Sequence, residues 1–202
     1  ALDQALAAVA AGQDDLPGAA VARRSLAAAA PELVAHELER CRRWRPVAVE
    51  ADFRLTLGQV HGWLAARGAA APEPPAGRTD FELVGTIDRV DVARDGSSVA
   101  AVVDYKTGQV PARSRESQGR ELQLVLYALA VETGEVSGLP TPPGGADRWQ
   151  LGAGGFYGLA PKTLGFKESL DGGGDFIAGV ATIYRQVLEI LDGIAGVAAA
   201  AA

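Results

Sequence analysis

The chain has 202 residues, of which 48% are hydrophobic and 22% charged, enough for one domain with a sizeable core. A net charge of −6 argues against a free-standing nucleic-acid-binding module, because such modules are usually basic, but it permits a catalytic module whose partners hold the nucleic acid. No apolar stretch reaches the roughly 20 residues of a membrane span, and a single cysteine excludes an internal disulfide and fits a cytoplasmic protein. The lack of methionine and the alanine tail at 198–202 predict a piece of a longer chain.

The first 46 residues are expected to form a helical segment belonging to a larger domain. The alanine-rich stretch 1–30 predicts helix around a break at Leu16-Pro17-Gly18. An amphipathic helix then runs from Pro31, in its first turn, to Trp44. Its predicted apolar face comprises Leu33, Leu38 and Cys41.

Residues 47–197 are expected to form an α/β core. Alternating polarity predicts a strand whose inner side carries Val47, Val49, Ala51, Phe53, Leu55 and Leu57. Proline and glycine predict a loop over 66–78, and two β-branched runs around the turn signal Arg94-Asp95-Gly96-Ser97 predict a β-hairpin.

The second half of the core alternates helix, loop, strands and helix. Residues 119–134 predict a helix with Leu122, Val125, Leu126, Leu129 and Ala130 on its inner face. A loop over 136–148 and a strand pair within 154–170 follow. The final helix, 175–194, is expected to bury Ile177, Val180, Ile183, Tyr184, Val187, Leu191 and Ile194. This order predicts a small mixed sheet flanked by helices.

The second strand of the hairpin ends in DYK, which carries charge at a place where a core strand should be apolar. Asp104 and Lys106 share one face because side chains alternate along a strand, and the hairpin brings Asp88 alongside them. Two carboxylates at a partly buried point repel each other unless a cation lies between them, and Mg²⁺ prefers oxygen ligands. A lysine beside such an ion stabilises developing charge. These residues therefore indicate metal-assisted phosphodiester hydrolysis, with the Tyr105 carbonyl as a further ligand; the alternative is a solvated, structural Asp–Lys pair.

Three segments in this order, GTIDRVD, DYKTG and GRELQLVLYALA, resemble the RecB-family nuclease domain of the PD-(D/E)XK superfamily. The resemblance covers about residues 47–194 and is strongest to the C-terminal nuclease domain of AddB- or AdnAB-type helicase–nuclease subunits. It implies that Asp88 and Asp104 bind metal and that Lys106 is catalytic. It also implies that Gln123 and Tyr127, four residues apart on one helix face, face the active site and DNA; the alternative is a polar residue at a helix edge and a half-buried aromatic.

Several residues near the two aspartates have both a functional and a structural interpretation. Arg89 and Asp91 are either functional or a structural ion pair, and Glu50 is expected to support the site rather than bind metal. Thr107 and Gly108 most simply form a turn. Three arginines of the following loop either contact phosphates or are only solvated: Arg113, Arg115 and Arg120.

The chain departs from the family at its metal-binding histidine, which normally lies well upstream of the first aspartate. His36 and His61 are the only histidines, and neither is at the expected place. Either the true histidine precedes residue 1, or this copy is degenerate. The iron–sulfur cluster of many AddB-type relatives is not supported by Cys41 alone, which is interpreted as a core residue.

The resemblance implies a Mg²⁺- or Mn²⁺-dependent exonuclease that acts in DNA double-strand-break repair and recombination. The chain has no phosphate-binding loop of ATP-driven motors, so a helicase partner subunit or domain would deliver single-stranded DNA to it. The alternative is a nuclease fold retained only to bind DNA or a partner; a Cas4-like nuclease is a further possibility.

Overall fold

The computed structural model describes residues 19–106, 110, 122–159 and 163–200; in 19–26, 29 and 195–200 only the backbone is described. Within these ranges the chain forms four α-helices, five strands and one 3₁₀ turn at Pro143–Gly145. The elements are α1 (Ala19–Arg43), β1 (Trp44–Thr56), α2 (Leu57–Ala65), β2 (Glu82–Ala93), β3 (Val99–Lys106), α3 (Leu122–Thr133), β4 (Gln150–Gly158), β5 (Gly165–Leu170) and α4 (Gly174–Ala200). None of the described helices combines the length and hydrophobicity needed to cross a bilayer.

The five strands form one mixed sheet in the order β1-β2-β3-β4-β5. Neighbouring strands are antiparallel except β3 and β4, which are parallel. A parallel pair needs a crossover connection, and α3 lies in that connection. The ends of β3 and β4 therefore lie at the same edge of the sheet, which places Lys106 beside Gly158.

The sheet separates two apolar layers. One face carries the main core, to which α2, α3 and α4 contribute Leu64, Leu129 and Tyr184. The other face carries a smaller cluster of Trp44, Ala101 and Ala153. Helix α1 lies on this second face, where the Arg40 guanidinium stacks 3.9 Å from the centre of the Phe166 ring of β5. The α/β architecture expected from the sequence is confirmed.

The amphipathic helix predicted to begin at Pro31 in fact begins at least twelve positions earlier, at Ala19, and Pro31 lies inside it. Proline has no backbone N–H to donate to the preceding turn, and the exposed surroundings of Pro31 allow water to satisfy the free carbonyl. Leu38, predicted on the inner face, is exposed. Cys41, interpreted as a core residue, is only half-buried.

Strand β1 is longer than predicted and changes phase in its middle. It begins at Trp44 rather than Val47, and Leu57 starts α2 after a capping box between Thr56 and Gln59. Val49, predicted to face inward, is 66% exposed, whereas Ala48 and Ala51 both contact the main core. The alternation is interrupted by a register shift against β2 between Pro46 and Ala48 and by the left-handed backbone of Glu50, with φ of 48°.

The remaining elements follow the predictions closely. The hairpin is present as β2 and β3, and in its turn Asp95 accepts a hydrogen bond of 2.9 Å from the backbone N–H of Ser97. The loop over 66–78 contains no helix or strand, and β4 and β5 form the expected strand pair. Helix α3 is buried on more than its predicted face, because it is packed among the sheet, α2 and α4. In α4, Ile194 is exposed, contrary to prediction.

Candidate active site

The two aspartates converge where strands β2 and β3 stop pairing. The last pair of this antiparallel ladder is Arg89 with Val103, so the next residues, Asp88 and Asp104, lie opposite each other. The backbone N–H of Tyr105 donates a 2.8 Å hydrogen bond to Asp88 Oδ2. Asp104 is 1% exposed, so its charge needs compensation from close neighbours.

Lys106 supplies part of that compensation. Its Nζ atom lies 2.6 Å from Asp104 Oδ2, as expected for two side chains on one strand face. The same ammonium group donates a hydrogen bond of 3.2 Å to Gln123 Oε1 and lies 5.5 Å from the centre of the Phe156 ring of β4. These three contacts fix the ammonium group beside the carboxylates.

The first two turns of α3 complete the cluster. Gln123 Nε2 donates a 2.6 Å hydrogen bond to the hydroxyl of Tyr127, four residues later on the same helix face. Burial raises the pKa of Tyr127 to about 12, and the carboxylates of Asp88, Asp104 and Glu50 act in the same direction, against the hydrogen bond from Gln123. Tyr127 is therefore a neutral phenol at physiological pH.

Glu50 lies at the edge of this cluster. It falls between the pairs Val49–Arg89 and Ala51–Ile87, which places it opposite Asp88 on the neighbouring strand. Its charge contributes to the raised pKa of Tyr127. It is exposed, and the expected supporting role stays a prediction.

The donor set suits an ion that is shared with a substrate. In the part of the chain that the structure describes, no group of three or more His, Cys, Asp or Glu side chains is arranged to hold a metal. Mg²⁺, however, is commonly bound through one or two carboxylates, with waters and substrate phosphate oxygens as its other ligands. Asp88 and Asp104 match that pattern, and the opposed carboxylates give a cation a favourable position.

The two histidines lie elsewhere in the fold. The His36 ring packs beside Gly165 of β5, and its Nε2 atom is 4.0 Å from Glu32 on the same helix. His61 is in α2, where its ring lies 5.9 Å from the ring of Tyr184. The predicted turn at Thr107 and Gly108 and the loop residues Arg113, Arg115 and Arg120 are outside the described residues.

Sequence analysis allowed an ion pair of Arg89 with Asp91 but missed the buried ionic network around this pair on the opposite face of the sheet. Arg89 donates to both carboxylate oxygens of Asp91, at 2.6 and 3.0 Å, and Arg40 donates to Asp91 at 2.9 Å. Arg89 also donates to Glu37 at 2.8 Å and to the Tyr105 hydroxyl at 3.0 Å. The alternation of strand side chains places Arg89 and Asp91 away from Asp88, but only the packing of α1 supplies Glu37 and Arg40.

These contacts keep Arg89 charged although it is buried. Burial by itself would lower the pKa of Arg89, but the hydrogen bonds and charges of Asp91, Tyr105 and Glu37 outweigh it and raise the pKa above its usual range. The Tyr157 hydroxyl lies near Glu37 without a hydrogen bond of good geometry among the described groups, and burial raises its pKa as well.

One family model covers most of the chain. No curated protein matches the chain significantly. The family model of the PD-(D/E)XK nuclease superfamily matches residues 1–189, which is most of the chain. The five-stranded mixed sheet with its flanking helices is consistent with the fold of that family. The chain therefore belongs to the PD-(D/E)XK nuclease superfamily.

Proposed function

We propose that this chain is a divalent-metal-dependent deoxyribonuclease domain. The observation that carries the proposal is the continuous series of contacts from Asp104 to Lys106, Gln123 and Tyr127, with Asp88 opposite. Membership of a superfamily whose members are generally nucleases supports it. Asp88 and Asp104 would hold Mg²⁺ or Mn²⁺, with the Tyr105 carbonyl as a further ligand.

The protein side chains have distinct roles in this proposal. A bound divalent ion supplies Lewis-acid polarisation of the scissile phosphate. Lys106, held between Asp104 and Gln123, orients the attacking water and stabilises negative charge that develops on the phosphate oxygens. Gln123 keeps the ammonium group in place. Tyr127 stays neutral and anchors Gln123 by accepting its hydrogen bond.

We further propose that the domain works within a cytoplasmic helicase–nuclease of the AddB or AdnAB type, as an exonuclease in double-strand-break repair and recombination. The acidic net charge of −6 supports this arrangement, because a separate motor would hold the DNA and deliver a single strand to the site. In this proposal residues 47–197 form the nuclease core. Residues 1–46 lead into it, with α1 packed on its sheet.

A second candidate is a nuclease fold that binds DNA or a partner without cutting. His36 and His61 lie away from the two aspartates, and the resembled nucleases use a histidine as an additional ligand, so loss of an upstream histidine from the full-length protein would favour this candidate. The two candidates share a fold and differ in whether the carboxylates support hydrolysis.

Cleavage of single-stranded DNA labelled at either end separates the two candidates. The parent chain, alone and with its natural partner, is compared in Mg²⁺ and Mn²⁺ with Asp104→Asn, which keeps the shape of the side chain. Asp147→Asn is the matched control, because Asp147 is exposed in the loop before β4, at the end of the sheet opposite Lys106.

The nuclease proposal predicts metal-dependent cleavage that Asp104→Asn lowers at least about 100-fold and that Asp147→Asn leaves unchanged. The strand end that is degraded first reports the polarity of cleavage. Equal cleavage, or equally absent cleavage, in parent and Asp104→Asn would reject the catalytic role. DNA binding that survives in both would then favour the scaffold.

A further inference from the structure

The C-terminal end of strand β3, which carries Asp104 and Lys106, is not held to β2 by backbone pairing. The β2–β3 ladder ends at Arg89–Val103. Residues Asp104 and Lys106 continue to pair with β4 only, on the other side. The ladder therefore does not by itself set the separation between Asp88 and Asp104, on which a shared metal ion would depend.

Tyr105 provides two connections across this gap. Its backbone N–H donates to Asp88 Oδ2 at 2.8 Å, and its hydroxyl accepts a hydrogen bond from Arg89 Nη1 at 3.0 Å. Neighbouring residues of a strand point to opposite faces of a sheet. The Tyr105 side chain therefore lies on the face that packs against α1, called the rear face below, while Asp104 and Lys106 lie on the other face. One residue thus connects the rear face to the carboxylate of Asp88.

Arg89 is itself held rigidly. It is 4% exposed, and its planar fork contacts both oxygens of Asp91 while Nη1 also reaches Glu37. A bidentate guanidinium–carboxylate pair has a fixed geometry. Arg40 adds a second positive charge beside Asp91, so the two cations of the network face two anions, and the Tyr157 hydroxyl lies next to them. Glu37 and Arg40 extend this support to α1.

We propose that Arg89 is a positioning residue that acts through Tyr105: the network behind the sheet fixes the end of β3, and thereby the spacing of Asp88 and Asp104. The metal-binding consequence rests on the function proposed above, whereas the mechanical link does not. When the link is broken, the Tyr105 N–H separates from Asp88 more often, and the two carboxylates are less often at the spacing that one ion requires.

Tyr105→Phe breaks the link with little disturbance of the fold. The Nη1 atom of Arg89 that loses the hydroxyl keeps its 2.8 Å hydrogen bond to Glu37, so the guanidinium stays paired. Tyr184→Phe is the matched control, because it also deletes one hydroxyl with one hydrogen bond of 3.0 Å, which it donates to the carbonyl of Pro72 in the loop over 66–78. Thermal unfolding of both variants verifies that each is folded.

The first readout is amide hydrogen exchange of residue 105 in the metal-free 202-residue chain. Loss of the link is expected to accelerate exchange of this amide about fivefold to tenfold in Tyr105→Phe, the effect of about one net hydrogen bond, and to leave it unchanged in Tyr184→Phe. Equal exchange of this amide in the two variants would overturn the inference, whether or not the chain binds a metal.

The second readout is Mn²⁺ affinity, measured by titration calorimetry on the parent, Asp104→Asn and the two tyrosine variants. Tyr105→Phe is expected to bind Mn²⁺ about tenfold more weakly than Tyr184→Phe, as is typical for residues that orient metal ligands. If Asp104→Asn weakens binding and Tyr105→Phe does not, the positioning role is rejected and the metal site stands. If parent and Asp104→Asn bind alike, the metal assignment is rejected, and the exchange rates alone decide the mechanical link.

Discussion

The ionic network behind the sheet should be essential for stability, and Asp91→Asn tests this. Asp91 is fully buried and accepts three hydrogen bonds, two from Arg89 and one from Arg40. Asparagine keeps the shape but removes the charge, which leaves two guanidinium groups facing Glu37 alone. Removing one partner of a buried ion pair costs about 3–5 kcal/mol. The free energy of unfolding of a whole domain is roughly 5–15 kcal/mol, so this loss is a large fraction of it. It corresponds to a fall in Tm of roughly 6–20 °C.

Urea unfolding followed by tryptophan fluorescence measures this loss, since Trp44, Trp63 and Trp149 are all buried. The control is Arg54→Gln, which removes an ion pair with Glu82 between side chains that are 66% and 40% exposed. That pair is worth at most about 1 kcal/mol because water screens it. If Asp91→Asn lowers the free energy of unfolding by no more than Arg54→Gln does, the reasoning about the network is refuted.

Three further predictions concern the site and its supporting core. Lys106→Met should lower single-turnover DNA cleavage at least about 100-fold, because the ammonium group acts on the reaction, and should also lower the Tm, because the buried carboxylate of Asp104 loses part of its charge compensation; unchanged cleavage in the folded variant would contradict the catalytic role. Tyr127 has a pKa of about 12 in the folded chain and about 10 when unfolded, so its stabilising contribution is complete below about pH 10 and is lost as the pH rises towards 12. Unfolding free energies between pH 9 and about pH 12 should therefore fall less steeply in Tyr127→Phe, and equal slopes would contradict this assignment. Gly85→Ala should lower the free energy of unfolding in urea by about 1–3 kcal/mol, because the added Cβ would lie 2.7 Å from the buried ring of Phe53. Gly62→Ala, where the added Cβ meets open space, should not lower it, and equal effects of the two substitutions would contradict the packing argument.

The parts of the fold that the sequence predicts well are those determined by local patterns. The hairpin follows from two apolar, β-branched runs and a turn that needs a left-handed glycine at position 96, where φ is 80°. The contact between Gln123 and Tyr127 follows from their spacing on one helix. The opposition of Asp88 and Asp104 follows from the register of that hairpin.

The parts that the sequence does not predict depend on long-range packing. Pro31 is tolerated inside α1, where the local rule placed a helix start. The left-handed backbone of Glu50 changes the phase of β1, which a periodic pattern cannot anticipate. The network of Arg89 and Asp91 with Glu37 and Arg40 joins residues far apart in sequence, so the local pattern leaves open whether the first two are functional or structural.

In the proposed site, Asp88 and Asp104 together bind one divalent ion. Anomalous diffraction from crystals of the chain grown with Mn²⁺ tests it most directly, because the scattering locates the ion without reference to activity. An ion shared by the two aspartates should give an anomalous peak at roughly 2.0–2.3 Å from a carboxylate oxygen of each, and this peak should be lost in Asp104→Asn crystals. A peak bound by other residues, or no peak between these two carboxylates at saturating Mn²⁺, would show that they do not share an ion.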